Sequence, residues 1–472
     1  AGVVHARASL AATFPDPAFD ATPLFDGTGE MAVPRELDGR RADSSDAPSS
    51  RDPRALLLDV RGTDEQARVD LRSITPHFLA ALLGRLTNVR EAVDDTADVI
   101  EVESTDGFPD EGFLWIAGEL VSYRSRTDTA FTQVDRAVAG EQGFSPARGH
   151  RAGTPVMPER FYAFHLWRTE GTGGDPRRID SVRDLLRVAP WSLEGGFSRE
   201  EVAQLADLVT VHAGGAGAGT WSDPVRAAAP LIAGATDFVL PWDGQYFGVG
   251  TTVRIRAGGR EEFGLVAEAQ PGASGFRLAT PVTGEYEPAE ALVSYLVRHP
   301  ININTAAPEL LRLVIGGIRL TPSRGIGSPT ADLLTDAIVS SRPVRGIGDL
   351  LGGVLLPLQE EGDIDGRTVD AVTRLALAAE DRTLRSSLHT LGFRNEGRFR
   401  IVSNASVNTP TGAERGRHST ERVLSVAPQE PLLHVVSTQE EFEEAWRPGR
   451  AARWTATGPD HVGIPAGSVQ PP

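Results

Sequence analysis

The residues best suited to hold a metal ion lie in the acidic turn EEGDIDGRTVD, residues 360–370. Glu361, Asp363 and Asp365 alternate there around two glycines, so several carboxylate oxygens could converge on Ca²⁺, which prefers oxygen ligands. The spacing is shorter than that of a complete calcium loop, and the bidentate glutamate that ends such a loop is missing. The same residues fit a solvated turn between helices, with Asp363 or Asp365 as a helix cap. Calcium is therefore a candidate cofactor, and the helix cap is the alternative.

Other catalytic chemistry has no matching motif in the sequence. Cysteine is absent, which removes thiolate nucleophiles and thiolate metal ligands. The ten histidines are spaced singly, without a metal-binding pair, and there is no G-x-S-x-G turn. The Gly-rich run GGAGAGT, residues 214–220, lacks the lysine of a phosphate-binding loop and fits a linker better. We therefore expect no catalytic residues, and a protein that is not an enzyme.

The charge distribution argues against nucleic acid as a partner. The formal net charge is -17, lysine is absent, and the arginines are scattered among carboxylates, as in RGTDEQARVD. A phosphate backbone is attracted by clustered positive charge, which this pattern does not provide.

The sequence contains no run of about 18 apolar residues, so no segment is expected to cross a bilayer. The chain opens with AGVVHARASLAATFPDP, which lacks an initiator methionine and the charged start and apolar region of a signal peptide. We interpret Ala1 as the start of a processed or trimmed chain, whose preceding residues could have formed a signal or a membrane helix.

The stretch HPININTAAPELLRLVIGGI, residues 299–318, predicts a strand end that continues directly into a helix. Its short polar side chains can bond nearby backbone groups and cap that helix, while the alternating isoleucines share one buried face. The predicted structural joint comprises Asn302, Asn304, Thr305 and Ala306. The alternative is a DNA-binding helix-hairpin-helix, but the following turn offers only Arg319 and Arg324 as basic residues.

Periodicity and turn residues predict a mixture of strands and helices. Thr75 and Pro76 mark the start of a helix, and Ser198 with Glu201 forms a capping box for another. The predicted strands are residues 55–60, 67–71 and 161–168 and an antiparallel pair within 397–428; the predicted helices are 75–86, 179–189, 198–212 and most of 300–390.

Two regions, 97–157 and 236–297, consist of short strand-like runs separated by Gly, Asp and Pro turns. GFLWIAGELVSYRSR in the first and TTVRIRAGGREEFGLVA in the second each predict a strand, a tight turn and a second strand. The turns fall at Ala117-Gly118 and at Gly258-Gly259. We interpret the regions as two copies of one small β module.

Five segments occur in the order typical of a known family: DVRGTDEQARVDLRSITPHFLAALL, IDSVRDLLRVAPWSLEGGFSREEVAQLADLVTVH, ININTAAPELLRLVIGGI, SSRPVRGIGDLL and GRFRIVSNASV. Together they resemble the K-type minor pseudopilin of the type II (general) secretion pathway. The matching positions are Asp64, Glu65, Arg68 and Leu71; Ser181 through Val188 with Thr210 and Val211; Asn302, Asn304, Thr305 and Ala306; and Arg342, Pro343, Asp349 and Leu350. The chain departs from the family in lacking its N-terminal hydrophobic helix with a glutamate, and in having Asp70 where asparagine is common.

The resemblance implies an α+β protein, with a pilin-like α/β core, a large helical insertion and two small inserted β modules. Some family members bind calcium. The expected division is an N-terminal segment and linker at 1–53; a pilin-like core at 54–96, 158–178 and 391–428; β modules at 97–157 and 236–298; a helical insertion at 179–235 and 299–390; and a C-terminal tail at 429–472.

The function implied is that of a structural component at the tip of a secretion or pilus-like filament, which initiates assembly or contacts the substrate. Its partners would be other minor pseudopilins and a secreted protein. It would reside in the cell envelope, anchored to the inner membrane by a helix absent from this chain, with its domain in the periplasm, or else at the cell surface. The alternative is a surface or phage-like structural protein whose β modules bind a partner.

Overall fold

The computed structural model describes residues 31–32, 56–138, 147–170, 177–190, 196–213, 221–239, 248–269, 275–288, 290–321, 324–380, 389–393, 397–408, 414–426, 433–443 and 453–456. Most of the N-terminal segment and the Gly-Ala connector, 214–220, lie outside these residues. The chain divides into two compact units, Ala1–Glu65 with Gly397–Pro472 and Gln66–Glu396. Both helices and sheets are present, as expected for an α+β protein.

The strands follow one another along the chain as β1 (Met31–Ala32), β2 (Leu56–Asp64), β3 (Val69–Asp70), β4 (Thr87–Asn88), β5 (Val99–Glu101), β6 (Gly112–Ile116), β7 (Glu119–Tyr123), β8 (Ser125–Arg126), β9 (Ala130–Thr132), β10 (Pro155–Pro158), β11 (Val209–Thr210), β12 (Val225–Arg226), β13 (Asp237–Val239), β14 (Thr252–Ala257), β15 (Arg260–Ala269), β16 (Gly275–Leu278), β17 (Leu292–Tyr295), β18 (Ile301–Asn302), β19 (Arg319–Thr321), β20 (Arg324–Gly325), β21 (Leu391–Gly392), β22 (Arg398–Asn408), β23 (Glu414–Val426), β24 (Leu433–Glu443) and β25 (Arg453–Ala456).

The α-helices are α1 (Pro76–Leu82), α2 (Glu159–Thr169), α3 (Arg199–Leu205), α4 (Pro308–Gly316), α5 (Ser328–Ser340), α6 (Ile347–Leu350), α7 (Leu356–Glu360) and α8 (Gly366–Glu380). Two 3₁₀ turns span Glu65–Ala67 and Val182–Arg187, and a π-helical segment, Leu351–Leu355, joins α6 to α7. Thr75 caps α1, and the Ser198/Glu201 capping box opens α3, so both predicted helix starts are confirmed.

The first unit is built on an antiparallel sheet in the order β1-β2-β22-β23-β24-β25. The predicted strand pair within 397–428 is confirmed as β22 and β23. Phe399 and Ile401 are buried, as expected for alternate residues of one sheet face. Within the expected C-terminal tail, 429–472, β24 and β25 extend this sheet. The segment HVVSTQEEFEE is too charged to be predicted as a strand, but its backbone forms β24 and pairs with β23.

Residues 161–168 form the middle of helix α2, so the predicted strand there is wrong. The aromatic residues of FYAFHLWR favour a strand, but the segment is buried on nearly every side and has no period-two alternation. Glu159 in the first turn and Arg168 in the last complement the helix dipole. Of the expected pilin-like core, residues 66–96 and 158–178 lie in the second unit.

The first β module is a small six-stranded barrel, which we call barrel 1 (residues 87–158). Four of its strands run in the order β4-β10-β6-β7. β8 follows β7 after a single residue, so the two count as one strand of the barrel. β8 pairs with β9, and β9 pairs with β5. A bridge between Val89 and Val102 returns β5 to β4 and closes the circle. β4, at Thr87–Asn88, lies before the expected start of this module at 97. A two-residue strand is too short to give a periodic pattern.

The second β module, barrel 2 (residues 225–295), has the same architecture. Its order is β12-β17-β14-β15-β16-β13, and Ala228 N–H donates to the Val239 carbonyl at 2.9 Å, which closes the circle. Each strand of barrel 2 thus has a counterpart in barrel 1, with the long β15 replacing β7 and β8. β12, at Val225–Arg226, likewise lies before the expected start of this module at 236, within the predicted helical insertion.

Alternation along the barrel strands divides the side chains between two cores. In β6, Leu114 and Ile116 pack inside barrel 1, whereas Trp115 packs into the main core of the second unit. In β15, Val266 packs inside barrel 2, whereas Leu265 packs into the main core. Both barrels are therefore attached to the helical region by the outward faces of their strands.

Candidate functional site

Asn304 of the predicted joint bonds to backbone groups of two distant segments. Its amide nitrogen donates to the carbonyls of Val344 at 2.9 Å and Phe393 at 3.0 Å, and its side-chain oxygen accepts from Val344 N–H at 2.8 Å. The residue is 3% exposed. Three buried hydrogen bonds thus connect the start of the helical region to two segments that are distant in the sequence.

The rest of the joint surrounds this connection. Asn302 accepts from Asn304 N–H at 3.1 Å, and Ile301–Asn302 pairs in parallel with Leu391–Gly392. Arg342 donates to the carbonyls of Ile303 at 2.8 Å and Ala306 at 2.6 Å. Thr305 lies in the turn between β18 and α4, and the N-cap of α4 is Ala307, which has no side-chain cap. The expected capping of α4 by the asparagines is therefore wrong, because Asn304 bonds distant backbone instead.

The acidic turn lies between α7 and α8, with Glu361, Asp363 and Asp365 all exposed. Asp365 accepts from Thr368 N–H at 2.8 Å and from the Thr368 hydroxyl at 2.7 Å, which is the bonding of a helix cap. Within the described part of the chain, no group of three or more His, Cys, Asp or Glu side chains is arranged to hold a metal ion. Calcium binding at this turn stays a prediction.

Sequence reasoning missed a buried group of basic side chains in the second unit, which we call the basic cluster: Arg168, Arg298, His77, His165 and His389. It is held by hydroxyls and backbone. Arg168 donates to the Ile74 carbonyl at 2.6 Å and to Thr252 Oγ1 at 2.7 Å, while Arg298 donates to Thr251 Oγ1 at 3.1 Å. Its members come from α1, α2 and the segments after β17 and before β21, so no local spacing could reveal it.

Burial decides the protonation of these side chains. It lowers the pKa of His77 to about 3, with a contribution from the charge of Arg298, and it lowers the pKa values of His165 and His389 well below the ordinary value. The pKa of Arg168 falls to about 9 through burial, and that of Arg298 to about 9 through burial and repulsion by Arg168. At neutral pH the histidines are uncharged and the arginines carry the positive charge.

Each barrel holds a glutamate at the same register relative to its last strand, directly after the hairpin turn in barrel 1 and two residues further along the strand in barrel 2. Glu119 pairs across the turn with Ile116, and Glu262 with Ile255. These isoleucines are equivalent, because each also pairs with the barrel's last strand, at Val156 and Val293.

The two carboxylates also accept hydrogen bonds from equivalent loops. His150 Nε2 lies 2.7 Å from Glu119, and the Tyr286 hydroxyl donates to Glu262 at 2.6 Å. His150 and Tyr286 occupy equivalent positions, because each precedes the last strand of its barrel and forms an isolated β-bridge. His150 bridges to Val93, between β4 and β5, and Tyr286 bridges to Leu231, between β12 and β13. These contacts fasten loops to hairpins and present no reacting group to solvent.

The comparisons with known proteins add no family to this description. Protein-family models, curated proteins and solved structures were all compared with the chain, and none matches it. Among the described residues, no helix has the length and apolar character needed to span a membrane.

Proposed function

We propose that the protein is a non-enzymatic structural component of a secretion or pilus-like machine, similar to a K-type minor pseudopilin, that acts at a filament tip with other minor pseudopilins. The observation that carries the proposal is that the segments bearing the resemblance bond directly to one another. β3 in the first segment pairs in parallel with β11 in the second, with Leu71 N–H donating to the Thr210 carbonyl at 2.7 Å.

The third and fourth segments are joined in the same way. Asn304 bonds both backbone groups of Val344, and Arg342 bonds the carbonyl of Ile303. Residues that match the family motif therefore supply the contacts between segments. This supports the interpretation that the motif maintains the fold. A protein whose matching residues are used in packing needs no catalytic group for this role.

Copurification of the whole chain with the minor pseudopilins of the same cell tests the proposal. We expect a stable complex with the wild type and a weaker one with Asn304→Ala, which removes three buried hydrogen bonds. Asn88→Ala is the matched control, because Asn88 makes an exposed side-chain bond to Glu103 at 2.8 Å. If the folded wild type bound none of these subunits at micromolar concentration, the proposal would be rejected.

The second candidate function, a structural protein whose barrels bind a partner, is favoured by the duplication. Two barrels with one strand order are attached to the main core, and barrel 2 exposes Ile232 at 66% and Val239 at 43%. Exposed apolar side chains are frequent in protein contacts. Under this function Ile232→Asp with Val239→Asp would abolish binding of the partner without lowering the unfolding temperature. Under the first function the same double variant would retain its complex with the pseudopilins.

A further inference from the structure

The basic cluster carries buried positive charge that the described residues do not balance. Arg168 is 1% exposed and Arg298 is 7% exposed, and arginine stays protonated in proteins. Arg168 feels the charge of Asp70, but that carboxylate is already bonded by Arg72 Nε at 2.9 Å. Among the described residues, the groups acting electrostatically on Arg298 are Arg168 and Tyr295, and neither is a carboxylate.

The cluster also contains hydrogen-bonding groups with no protein partner in the described part of the chain. These groups are Nε of Arg168, Nε of Arg298 and both ring nitrogens of His77, which is 7% exposed, and of His389, which is 8% exposed. A neutral imidazole carries one N–H donor, so four donors from four separate segments are left without an acceptor. Buried donors are rarely left unpaired, because the loss of water is then not compensated.

Two buried guanidinium groups without a counterion are unfavourable, because the loss of their hydration is not compensated. The downward shift of both arginine pKa values expresses the same imbalance, since the charged form is disfavoured. Proteins relieve such an imbalance by pairing the charge or by neutralising the group, and arginine resists neutralisation. An anion that accepts hydrogen bonds would satisfy both the charge and the donors.

We propose that Arg168, Arg298 and His77 bind a small inorganic anion in the interior of the second unit. The anion would accept from the two Nε–H groups and from neutral His77, because both Nη groups of Arg168 and the Nη2 group of Arg298 already donate to Ile74, Thr252 and Thr251. It would connect α1, α2 and the segment after β17. This site is independent of the proposed function, since it concerns the stability of the fold.

The net charge makes the site easy to distinguish from surface binding. A chain with a formal charge of -17 repels anions over most of its surface, so weak adsorption contributes little. Saturable stabilisation by an anion at constant ionic strength would therefore report a specific site. Halides and oxyanions share the required chemistry, and separate titrations distinguish them.

The test measures the unfolding temperature of the whole chain while sodium chloride, sulfate or phosphate replaces sodium gluconate at constant ionic strength. We expect at least one of the three anions to raise it saturably by a few degrees. Arg298→Met should remove the dependence. Arg136→Met is the control: it also loses a buried arginine, but one paired with Glu119 at 2.7 Å, and it should keep the anion dependence.

Crystals soaked in sodium bromide give a second measurement on the wild type that does not require the variants to fold. An anomalous peak within hydrogen-bonding distance of Arg168 and Arg298 supports the proposal. Equal, unsaturable effects of all anions on the wild type and on Arg298→Met would overturn it, and so would bromide found at the surface alone with no anion dependence of unfolding.

Discussion

Barrel 1 and barrel 2 place a carboxylate at the same position and hold it by different means. Glu119 is wholly buried and bonded by Arg136 through Nε at 2.7 Å and Nη2 at 2.8 Å, as well as by His150. Glu262 is half-buried and accepts from neutral donors, the N–H groups of Thr283 at 2.8 Å and Gly284 at 2.7 Å and the Tyr286 hydroxyl. In both barrels this position therefore holds a carboxylate that accepts hydrogen bonds from a loop. The carboxylate has an arginine partner only in barrel 1, where it is shielded from water.

This difference follows from the cost of burying charge. A carboxylate that keeps contact with water needs no counterion, whereas one removed from water must be paired and hydrogen-bonded. The duplicated strand order allows the two solutions to be compared within one chain, since each substitution has a matched position in the other barrel.

Replacing the two glutamates by glutamine gives the largest expected contrast. Glu119→Gln leaves the Arg136 guanidinium, whose side chain is 7% exposed, without its counterion and should reduce the free energy of unfolding by about 3–5 kcal/mol. Glu262→Gln loses charge-assisted bonds at a half-buried site and should cost about 1–2 kcal/mol. Urea unfolding of both variants measures the difference. Equal losses would show that burial does not set the need for a counterion.

The pH dependence of stability tests the same pair. Burial raises the pKa of Glu119, but the hydrogen bonds and charges of Arg136 and His150 outweigh it and lower the pKa to about 2, from an ordinary value of 4.5. Because the folded pKa lies below the unfolded one, the stabilisation is complete above pH 4.5 and is lost as pH falls towards 2. It amounts to roughly 3 kcal/mol.

The buried histidines also make stability depend on pH. Their contribution is removed by subtracting the unfolding free energy of Glu119→Gln from that of the wild type. His77 has its pKa lowered from 6.5 to about 3, so the unfolded state takes up a proton first and stability falls from pH 6.5 downward. Wild type and Glu119→Gln share this loss. Their difference in unfolding free energy should shrink as the pH falls below 4.5; a difference that does not change between pH 4.5 and 3 contradicts the assignment.

The hairpin turns offer a third contrast. Gly118 has φ +100°, and a Cβ there would lie 2.0 Å from the Ala279 carbonyl of barrel 2, whereas Gly259 has φ +82° and nothing within 4 Å. Gly118→Ala should therefore cost about 2–4 kcal/mol, from steric overlap and backbone strain, and Gly259→Ala only about 1 kcal/mol, from strain alone. Thermal unfolding measures both. Similar losses would mean that the turn of barrel 1 does not pack against barrel 2.

Local signals in the sequence predicted what lies close together along the chain. The turns at Ala117-Gly118 and Gly258-Gly259 were predicted from small residues between strand-like runs, and both residues of each pair adopt positive φ. The cap at Thr75 was equally local. Two-residue strands such as β4 and β12, which close the barrels, have no periodic pattern, and their pairing is set by distant strands.

The candidate sites divide in the same way. Asn304 could be identified as polar and structural, but its bonds to Val344 and Phe393 depend on the fold rather than on the neighbouring residues. The basic cluster gave no signal, because its residues are spaced singly in the sequence and are brought together by helix and sheet packing. Helix α2 has no recognisable pattern in the sequence, because burial on nearly all sides removes the periodicity on which such predictions rest.

The ring residues that approach the two carboxylates give the smallest expected effect. Tyr286→Phe removes one hydrogen bond of 2.6 Å to Glu262 and keeps a ring that is 3% exposed, so the packing of barrel 2 is preserved. Glu262 retains two backbone donors and access to water, and the loss should be about 1 kcal/mol. His150→Phe removes the corresponding bond from a carboxylate with no access to water, and should cost about 2 kcal/mol. Urea unfolding of the two variants provides the comparison. If Tyr286→Phe were the more costly, hydrogen bonding in barrel 2 would depend on its tyrosine, and neutral donors could not be regarded as a substitute for the ion pair of barrel 1.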